Sequence, residues 1–322
     1  MYINYPSIVN MARQLALLIL MLLSICLHAQ DEYVVDGKSY DSFDQLLVDI
    51  NTQRLQDPDS AIVALENAHQ YYLDQKDTLL AVRSLTESAI NYGHLAQYQN
   101  AYDNLWSALF LADESQKDEA KVLVYLQLGR YYSFYKRERT SIDYLNRALK
   151  LNKDLVAQDS SNVYELKRCY YTLAYTYREL GMIDQAKRYL DTCYMLIDES
   201  GDAIIKKYSD VERAQIQSML GDYQESLEIL LEAEPWFKNN SPSFRVLLFT
   251  YIGDQYLGLG NVNKAEQYFL DALDISERYK SHLDFIPTIH KRLSQLYADK
   301  GAFEKAFESQ KILTELDAKY FD

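Results

Sequence analysis

The stretch YYTLAYTYRELGMIDQAKRYLDTC, residues 170–193, decides the fold. Apolar and aromatic residues recur in it every three or four positions as far as Tyr177, which is the spacing of one face of an α-helix. Gly181 then interrupts the pattern, and a second helical period follows through Ala186, Leu190 and Cys193. The stretch therefore predicts two helices joined by a tight turn.

The same two-helix pattern recurs along the chain. Each copy has a small residue near the middle of its first helix, where bulk would separate the two helices. These residues are Ala89, Gly129, Ala174, Ala214, Gly253 and Ser294, with Asp49 at the equivalent place of a degenerate first copy. Successive members lie 39 to 45 residues apart, so the chain is an internal repeat.

These copies resemble the tetratricopeptide repeat (TPR) family, whose signature is Trp-x2-Leu-Gly-x2-Tyr in helix A and Ala-x3-Phe-x2-Ala in helix B. The copy with Phe249, Gly253, Tyr256, Ala265 and Phe269 follows that spacing, with Phe at the Trp position. The resemblance covers essentially all of residues 31–322. It implies an all-α fold, a right-handed superhelical solenoid of six to seven helix hairpins whose first repeat is degenerate.

The repeat is longer than the usual 34 residues, so we expect longer helices or links. The polar stretch from Val156 to Val163 predicts the longest loop between repeats. A second break is predicted at Asn239–Ser243, with Pro242 in the first turn of the next helix and Ser241 as its cap.

The first 30 residues differ from the rest of the chain. After Arg13, an apolar run extends from Leu15 to Leu27 and is followed by Ala29 and then an acidic segment. A positive flank, a short apolar core and a small residue at the exit are the marks of a secretory signal peptide. We expect residues 1–30 to be removed and the protein to be exported to the periplasm or beyond, an uncleaved membrane anchor being the less favoured alternative.

The charge balance limits the partners. The formal net charge is −14, and loss of Arg13 with the leader makes it −15. Nucleic acids and anionic membranes are bound by clustered Lys and Arg, so this balance argues against both. We therefore expect a peptide or protein partner, with no nucleic acid and no direct membrane binding after signal removal.

In arrays of this family, helix A lines a concave groove where an extended peptide or a partner's tail binds. The resemblance places Arg130, Arg168, Tyr171, Tyr175 and Arg178 on this surface. Arginine binds carboxylates through paired hydrogen bonds, and tyrosine adds apolar contact and a hydroxyl. These five residues predict a carboxylate-bearing partner. The competing interpretation is that the arginines pair with neighbouring Glu and Asp.

Two other residue classes have structural interpretations. Cys169 and Cys193 fall at ends of one hairpin that antiparallel packing brings together, which allows either a disulfide or two buried thiols. Most of the 29 tyrosines need no functional explanation, because many recur at the aromatic core position of the repeat. Those at that position are Tyr92, Tyr132, Tyr177, Tyr256 and Tyr297.

No catalytic signature is found. The sequence has no HExxH, GxSxG, phosphate-binding loop or Cys/His zinc spacing. The histidines at positions 69, 94, 282 and 290 are too dispersed to suggest a catalytic or metal pair, and Pro287 separates the last two. We expect no enzyme activity, no metal and no cofactor.

The sequence thus predicts a non-catalytic scaffold of the bacterial envelope that binds a peptide or protein in its groove. The alternative is a periplasmic signal-sensing domain, since such arrays also resemble the sensor half of membrane-linked regulators. In that case the output domain would be missing here, because the chain ends at Asp322, directly after the last helix.

Overall fold

The structure is a computed structural model that describes residues 33–35, 38–40, 42–54, 57–135, 137–160 and 163–321. The chain divides into two compact units, Met1–Ile50 and Asn51–Asp322. The predicted signal peptide lies outside the described residues.

The first unit contains a small antiparallel hairpin that the sequence analysis did not predict. Strand β1 (Tyr33–Val35) pairs with β2 (Lys38–Tyr40), with Tyr33 opposite Tyr40. Helix α1 (Phe43–Arg54) begins in this unit. The Tyr40 hydroxyl donates to Oδ2 of Asp49 at 2.6 Å, so Asp49, the predicted marker of the degenerate repeat, binds the hairpin through its side chain.

The second unit is an all-α solenoid, as predicted. Its helices are α2 (Pro58–Asp74), α3 (Thr78–His94), α4 (Tyr98–Ser115), α5 (Asp118–Phe134), α6 (Glu138–Gln158), α7 (Val163–Glu179), α8 (Ile183–Ser200), α9 (Ala203–Leu220), α10 (Tyr223–Asn240), α11 (Arg245–Gly258), α12 (Val262–Tyr279), α13 (Ile286–Asp299) and α14 (Phe303–Phe321). From α3 onward they pack as six successive hairpins, each with a helix A (α3, α5, α7, α9, α11, α13) followed by a helix B.

The helix ends follow local sequence. Asp77, Asp202 and Asn261 each accept a hydrogen bond from a backbone N–H in the first turn of the helix that follows, which satisfies a donor that the helix itself leaves unpaired. Helix A of the fifth hairpin is followed, two residues after its end, by Gly260, whose φ of 75° is a left-handed conformation that other residues adopt at a cost. Ala96 adopts the same conformation, with φ of 55°, after α3.

The small residues of helix A allow helix B to approach, which confirms the packing role predicted for them. A Cβ atom added to Gly129 would lie 2.5 Å from Cγ of Leu145, and one added to Gly253 would lie 2.5 Å from Cε1 of Phe269. Leu145 and Phe269 are fully buried and stand four residues after the small residue that opens helix B. The two helices of a hairpin are therefore in direct backbone-to-side-chain contact.

Two predicted loop details were wrong. The segment Val156–Gln158 continues α6, which has 21 residues, because Leu151, Leu155 and Val156 pack against the apolar core of the adjacent hairpins. At the second break, Pro242 begins a 3-10 turn that leads into α11, but the Ser241 side chain does not cap it. The Ser241 hydroxyl instead accepts a hydrogen bond from the Tyr208 hydroxyl at 3.3 Å.

Many tyrosines form a three-ring cluster that repeats in three hairpins. In each cluster the core Tyr of helix A stacks on a Tyr twelve residues later in helix B, and that second ring also contacts an aromatic residue seven positions before the first. The clusters are Tyr125, Tyr132 and Tyr144; Tyr170, Tyr177 and Tyr189; and Phe249, Tyr256 and Tyr268. The tyrosines of these clusters thus have a structural role, and the helix B members were missed from sequence.

Candidate functional site

The helices in position A form one continuous surface. α3 packs on α5, α5 on α7, α7 on α9 and α9 on α11. All five predicted groove residues lie on α5 and α7. Burial raises the pKa of both Tyr171 and Tyr175, while the positive charge of Arg130, across on α5, opposes that rise. The structure therefore brings Arg130 near these two tyrosines, as the groove hypothesis requires.

Arg178 is buried and holds two of the inner helices together. Its Nε donates to Oε1 of Glu212 on α9 at 2.6 Å, its Nη1 donates to Oε1 of Glu179 at 2.7 Å, and the guanidinium lies 5.2 Å from the centre of the Tyr175 ring. Burial raises the pKa of Glu212, and Arg178 opposes that rise. Because its charge is balanced inside the protein, Arg178 supports the groove wall rather than offering a free cation to a ligand.

The other two arginines differ from each other. Arg168 is partly buried, and its Nη1 donates to both carboxylate oxygens of Glu165 at 3.1 Å. Arg130 is exposed, with Nη1 at 3.4 Å from Oε1 of Gln127. For Arg168 and Arg178 the structure shows the carboxylate pairing that the competing interpretation described, and Arg130 is the predicted arginine that stands open to the groove.

A second ion pair links inner helices further along the solenoid. Asp254 on α11, at a groove position, accepts from Nε of Arg292 on α13 at 2.8 Å. Burial raises the pKa of Asp254, and Arg292 opposes that effect. Charged pairs between neighbouring A helices thus recur, and they reduce the net charge that the groove presents.

A cavity of about 150 Å³ lies at one end of the groove. Helices α3, α4 and α5 form most of its wall, with Ile90 and Leu105 among the apolar residues. Tyr175 of α7 and Asp284, in the 3-10 turn Leu283–Phe285 before α13, complete it. A space of this size accepts a group about as large as benzene.

Asp284 was not predicted from the sequence. Its Oδ1 atom is buried and has no hydrogen-bond partner among the described residues. Burial raises the pKa of its carboxyl to about 7, against hydrogen bonds from the backbone N–H groups of Asp284 and Phe285 and the positive charge of Arg130. Strongly shifted carboxyl groups in cavities are typical of binding and catalytic sites. Sequence could not reveal it, because Asp284 lies more than 150 residues from Arg130, its neighbour in space.

The same turn closes the solenoid against its first complete hairpin. The rings of His94, at the end of α3, and His282 lie 4.2 Å apart. The 3-10 turn that follows His282 packs on α3. No pattern in the sequence indicates this contact between rings, because the curvature of nine intervening helices is what brings the two histidines together.

Cys169 and Cys193 are buried free thiols. Cys169 lies 3.8 Å from Nδ2 of Asn152 on the preceding helix, and Cys193 contacts the Ser209 hydroxyl on the following helix at 3.7 Å. The Cys193 thiol also donates to the Lys167 carbonyl of α7 at 3.5 Å. Each thiol thus has partners of its own, and no disulfide joins the two in the structure. Burial raises the pKa of both thiols, so neither is a reactive thiolate at neutral pH.

Within the described part of the chain, no cluster of His, Cys, Asp and Glu is arranged to hold a metal ion. Over the same residues, none of the helices combines the length and the apolar character that a membrane crossing demands.

The sequence model of the tetratricopeptide repeat matches three segments, residues 122–155, 167–199 and 252–279. They coincide with the hairpins α5–α6, α7–α8 and α11–α12. The chain therefore contains tetratricopeptide repeats in these three segments. The three matched repeats are also those whose helices carry the three-ring clusters, whereas the remaining hairpins share the same pairing of helices.

Solved TPR-like structures share this fold. A Rap protein complexed with Competence and Sporulation Factor superposes with a TM-score of 0.57 at 15% identity, over 80% of this chain and 75% of that chain. A chain of the APC/C hetero-tetramer Cut9-Hcn1 has a TM-score of 0.58 at 17% identity, over 87% of this chain and 48% of that chain. No curated protein matches the sequence.

Proposed function

We propose that this TPR protein is a non-catalytic scaffold that binds an extended peptide, or the tail of a protein partner, in the groove formed by its A helices. The observation that carries the proposal is the set of side chains on that surface. Tyr171 and Tyr175 are half-buried, with ring area still open, and Arg130 stands exposed beside them. Such a strip offers apolar contact and hydrogen-bond donors to a peptide backbone or carboxylate.

The fold supports this proposal. An array of A helices gives a long surface that matches an extended chain, and peptide recognition by such surfaces depends on a few anchor residues. The Rap protein of similar fold is complexed with Competence and Sporulation Factor. Under this proposal the present chain also holds a bound ligand, of peptide type, and a carboxylate or a backbone carbonyl of that ligand contacts Arg130.

We also propose that the protein acts outside the cytoplasm. The support is the predicted signal peptide in residues 1–30, followed by an acidic chain. Fractionation of cells that express the full chain tests this point, with the mass of the recovered protein showing whether the leader is removed. Recovery of the full-length chain in the cytoplasm would contradict it.

The groove is tested by peptide capture with mature protein from Asp31 onward. We expect Arg130→Ala and Tyr171→Ala each to lower retention of the bound partner about tenfold, since hot-spot residues of this kind contribute 1–2 kcal/mol or more to binding. The matched control is Arg147→Ala, because Arg147 is an exposed arginine of helix B that pairs with Asp143 and does not face the groove.

Circular dichroism must first show that each variant is as helical as the unmodified protein. Equal retention by all three variants would contradict the groove proposal and direct attention to the helix B face. Arg178→Ala is unsuitable for this test, because Arg178 is paired with Glu212 within the wall.

A further inference from the structure

The cavity at the end of the groove combines an apolar wall with one unsatisfied acceptor. Ile90 and Leu105 supply aliphatic surface, and the rings of Tyr98, Phe134 and Tyr175 supply aromatic surface. Asp284 enters from the opposite side through the turn that closes the solenoid, and its buried Oδ1 lacks a donor within the described chain. A buried carboxyl oxygen of this kind is costly to the folded protein unless a ligand donor reaches it.

The hydrogen-bond donor that Oδ1 of Asp284 lacks is best supplied by a cationic group of the ligand. The carboxyl is the acidic group in a wall whose other polar members include the His94 imidazole, the Gln127 amide and the guanidinium of Arg130. Aromatic rings attract an ammonium group by their negative faces, which adds to the charge of the carboxylate. Arg130, exposed at the side that faces the groove, is instead suited to an acceptor such as a carbonyl oxygen.

We infer that this cavity binds the amino-terminal residue of the ligand, with the free α-ammonium group donating to Asp284 and the apolar side chain filling the space between Ile90 and Leu105. The inference rests on the proposed peptide-binding function and deepens it, because it fixes which end of the peptide enters the cavity. The carbonyl of the first residue then faces Arg130, and the rest of the chain continues along the groove toward Tyr171.

An amino-terminal residue fits better than a lysine side chain. It places the ammonium group, an apolar side chain and a carbonyl on one carbon atom, and the cavity has a separate partner for each. A lysine ammonium stands at the end of a four-carbon stem, so it would reach Asp284 without offering Arg130 an acceptor. The volume of about 150 Å³ also suits a branched or aromatic side chain of medium size.

The smallest probe is L-leucinamide, which carries all three groups. N-acetyl-L-leucinamide has the same side chain and carbonyl but no ammonium group, so it is the matched control ligand. Calorimetric titration of the mature protein at pH 7.5 should show binding of L-leucinamide and at least tenfold weaker binding of the acetylated compound. Equal binding of the two, or no binding of L-leucinamide, would overturn the inference.

The protein variants are chosen to change one group. Asp284→Asn keeps the shape of the side chain but removes its charge, and we expect at least a tenfold loss of affinity for L-leucinamide. Asp103→Asn is the matched control, because Asp103 is an exposed acid of α4 outside the cavity, and it should bind as the unmodified protein does. Equal affinity in Asp284→Asn and the unmodified protein would remove Asp284 from the site.

Peptides separate this inference from the broader function. A hexapeptide library tethered through its carboxyl end is offered with free and with acetylated amino ends. Capture of the free library alone supports both proposals. Equal capture of both libraries leaves the groove as a peptide site and overturns the cavity assignment. Capture of neither contradicts peptide binding, and the leucinamide titration then still decides whether the cavity accepts an α-ammonium group.

Discussion

Arg178 lies at the centre of the groove and pairs with two acids, Glu212, which is buried with it, and Glu179, which is partly exposed. Replacing it with Ala leaves the Glu212 carboxylate buried without its cation, which costs roughly 3–5 kcal/mol in comparable buried pairs. We expect a clear fall in the urea midpoint measured by circular dichroism. The double variant Arg178→Met with Glu212→Leu should recover much of the loss, because it removes both charges. An unchanged midpoint in Arg178→Ala would show that the pair does not support the fold.

Asp284 makes stability depend on pH. Burial holds its pKa at about 7 in the folded protein, whereas an unfolded Asp titrates near 3.9. Between these values the folded state binds more protons than the unfolded state, so Asp284 lowers the free energy of unfolding as pH rises from about 4 to 7. Asn cannot ionise. Asp284→Asn should therefore match the unmodified protein near pH 4 and exceed its stability by up to about 4 kcal/mol at pH 8.

The comparison between the two proteins isolates Asp284, because His94 and His282 remain in both. Chemical unfolding of both proteins at pH 4, 6 and 8 measures the difference in their stability. A stability difference that does not grow with pH would show that the carboxyl titrates normally. A carboxyl that destabilises the folded protein at neutral pH is consistent with a role in binding, where a ligand cation would compensate for its burial.

At the scale of single elements, the close contact of helix A with helix B is tested at two glycines. Gly129 has an ordinary helical conformation, but a Cβ there would overlap Leu145, which is fully buried and cannot move aside. Gly129→Ala should lower the free energy of unfolding by about 1–3 kcal/mol despite the better helix propensity of Ala. Leu145→Ala should lower the free energy of unfolding by less in the Gly129→Ala variant than it does in the unmodified protein.

Gly260 provides the contrasting case. An added Cβ would meet no atom within 4 Å, so only the left-handed backbone is affected. Gly260→Ala should lower the free energy of unfolding by about 1 kcal/mol. No substitution of Phe269 or of another neighbour should restore that loss. If thermal and urea unfolding showed the same effect for Gly129→Ala and Gly260→Ala, one mechanism, either backbone conformation or overlap, would act at both sites.

Periodicity predicted the elements well because each hairpin is specified within its own 40 or so residues. The positions of Ala174, Gly129 and Gly253 in helix A, and the glycines after it, follow from local spacing and packing. The polar stretch at 156–163 misled because Leu155 and Val156 find apolar neighbours in other hairpins. Ser241 likewise contacts Tyr208, 33 residues away, rather than capping the next turn. Local patterns do not contain such partners.

At the scale of the second unit, the candidate site depends on how far the solenoid curves. Arg130 and Tyr175 were predictable because they occupy groove positions of helix A. Asp284 and the contact between His94 and His282 were not, because they depend on the summed rotation of all the intervening repeats. A small change of angle at each interface would separate α3 from the turn before α13. The cavity therefore exists only in the closed arrangement.

This closure couples the cavity to the shape of the solenoid. His282→Ala removes a ring that contacts both His94 and Phe244, so it should weaken the packing of the turn 283–285 on α3. Amide exchange should then become faster together at the end of α3 and in that turn, two segments far apart in sequence, and stay unchanged in α8. His290→Ala, in the next helix, is the control and should leave α3 unaffected.

A ligand that contacts both Asp284 and α5 binds only the arrangement in which the turn 283–285 packs on α3. Its binding therefore stabilises that arrangement, and a loss of that packing weakens its affinity by the same free energy. L-leucinamide should slow exchange in both segments of the unmodified protein and bind His282→Ala more weakly, although position 282 makes no contact required of the ligand. Faster exchange confined to the turn, with α3 unchanged, would show that the contact is peripheral and that the A helices hold their curvature without it.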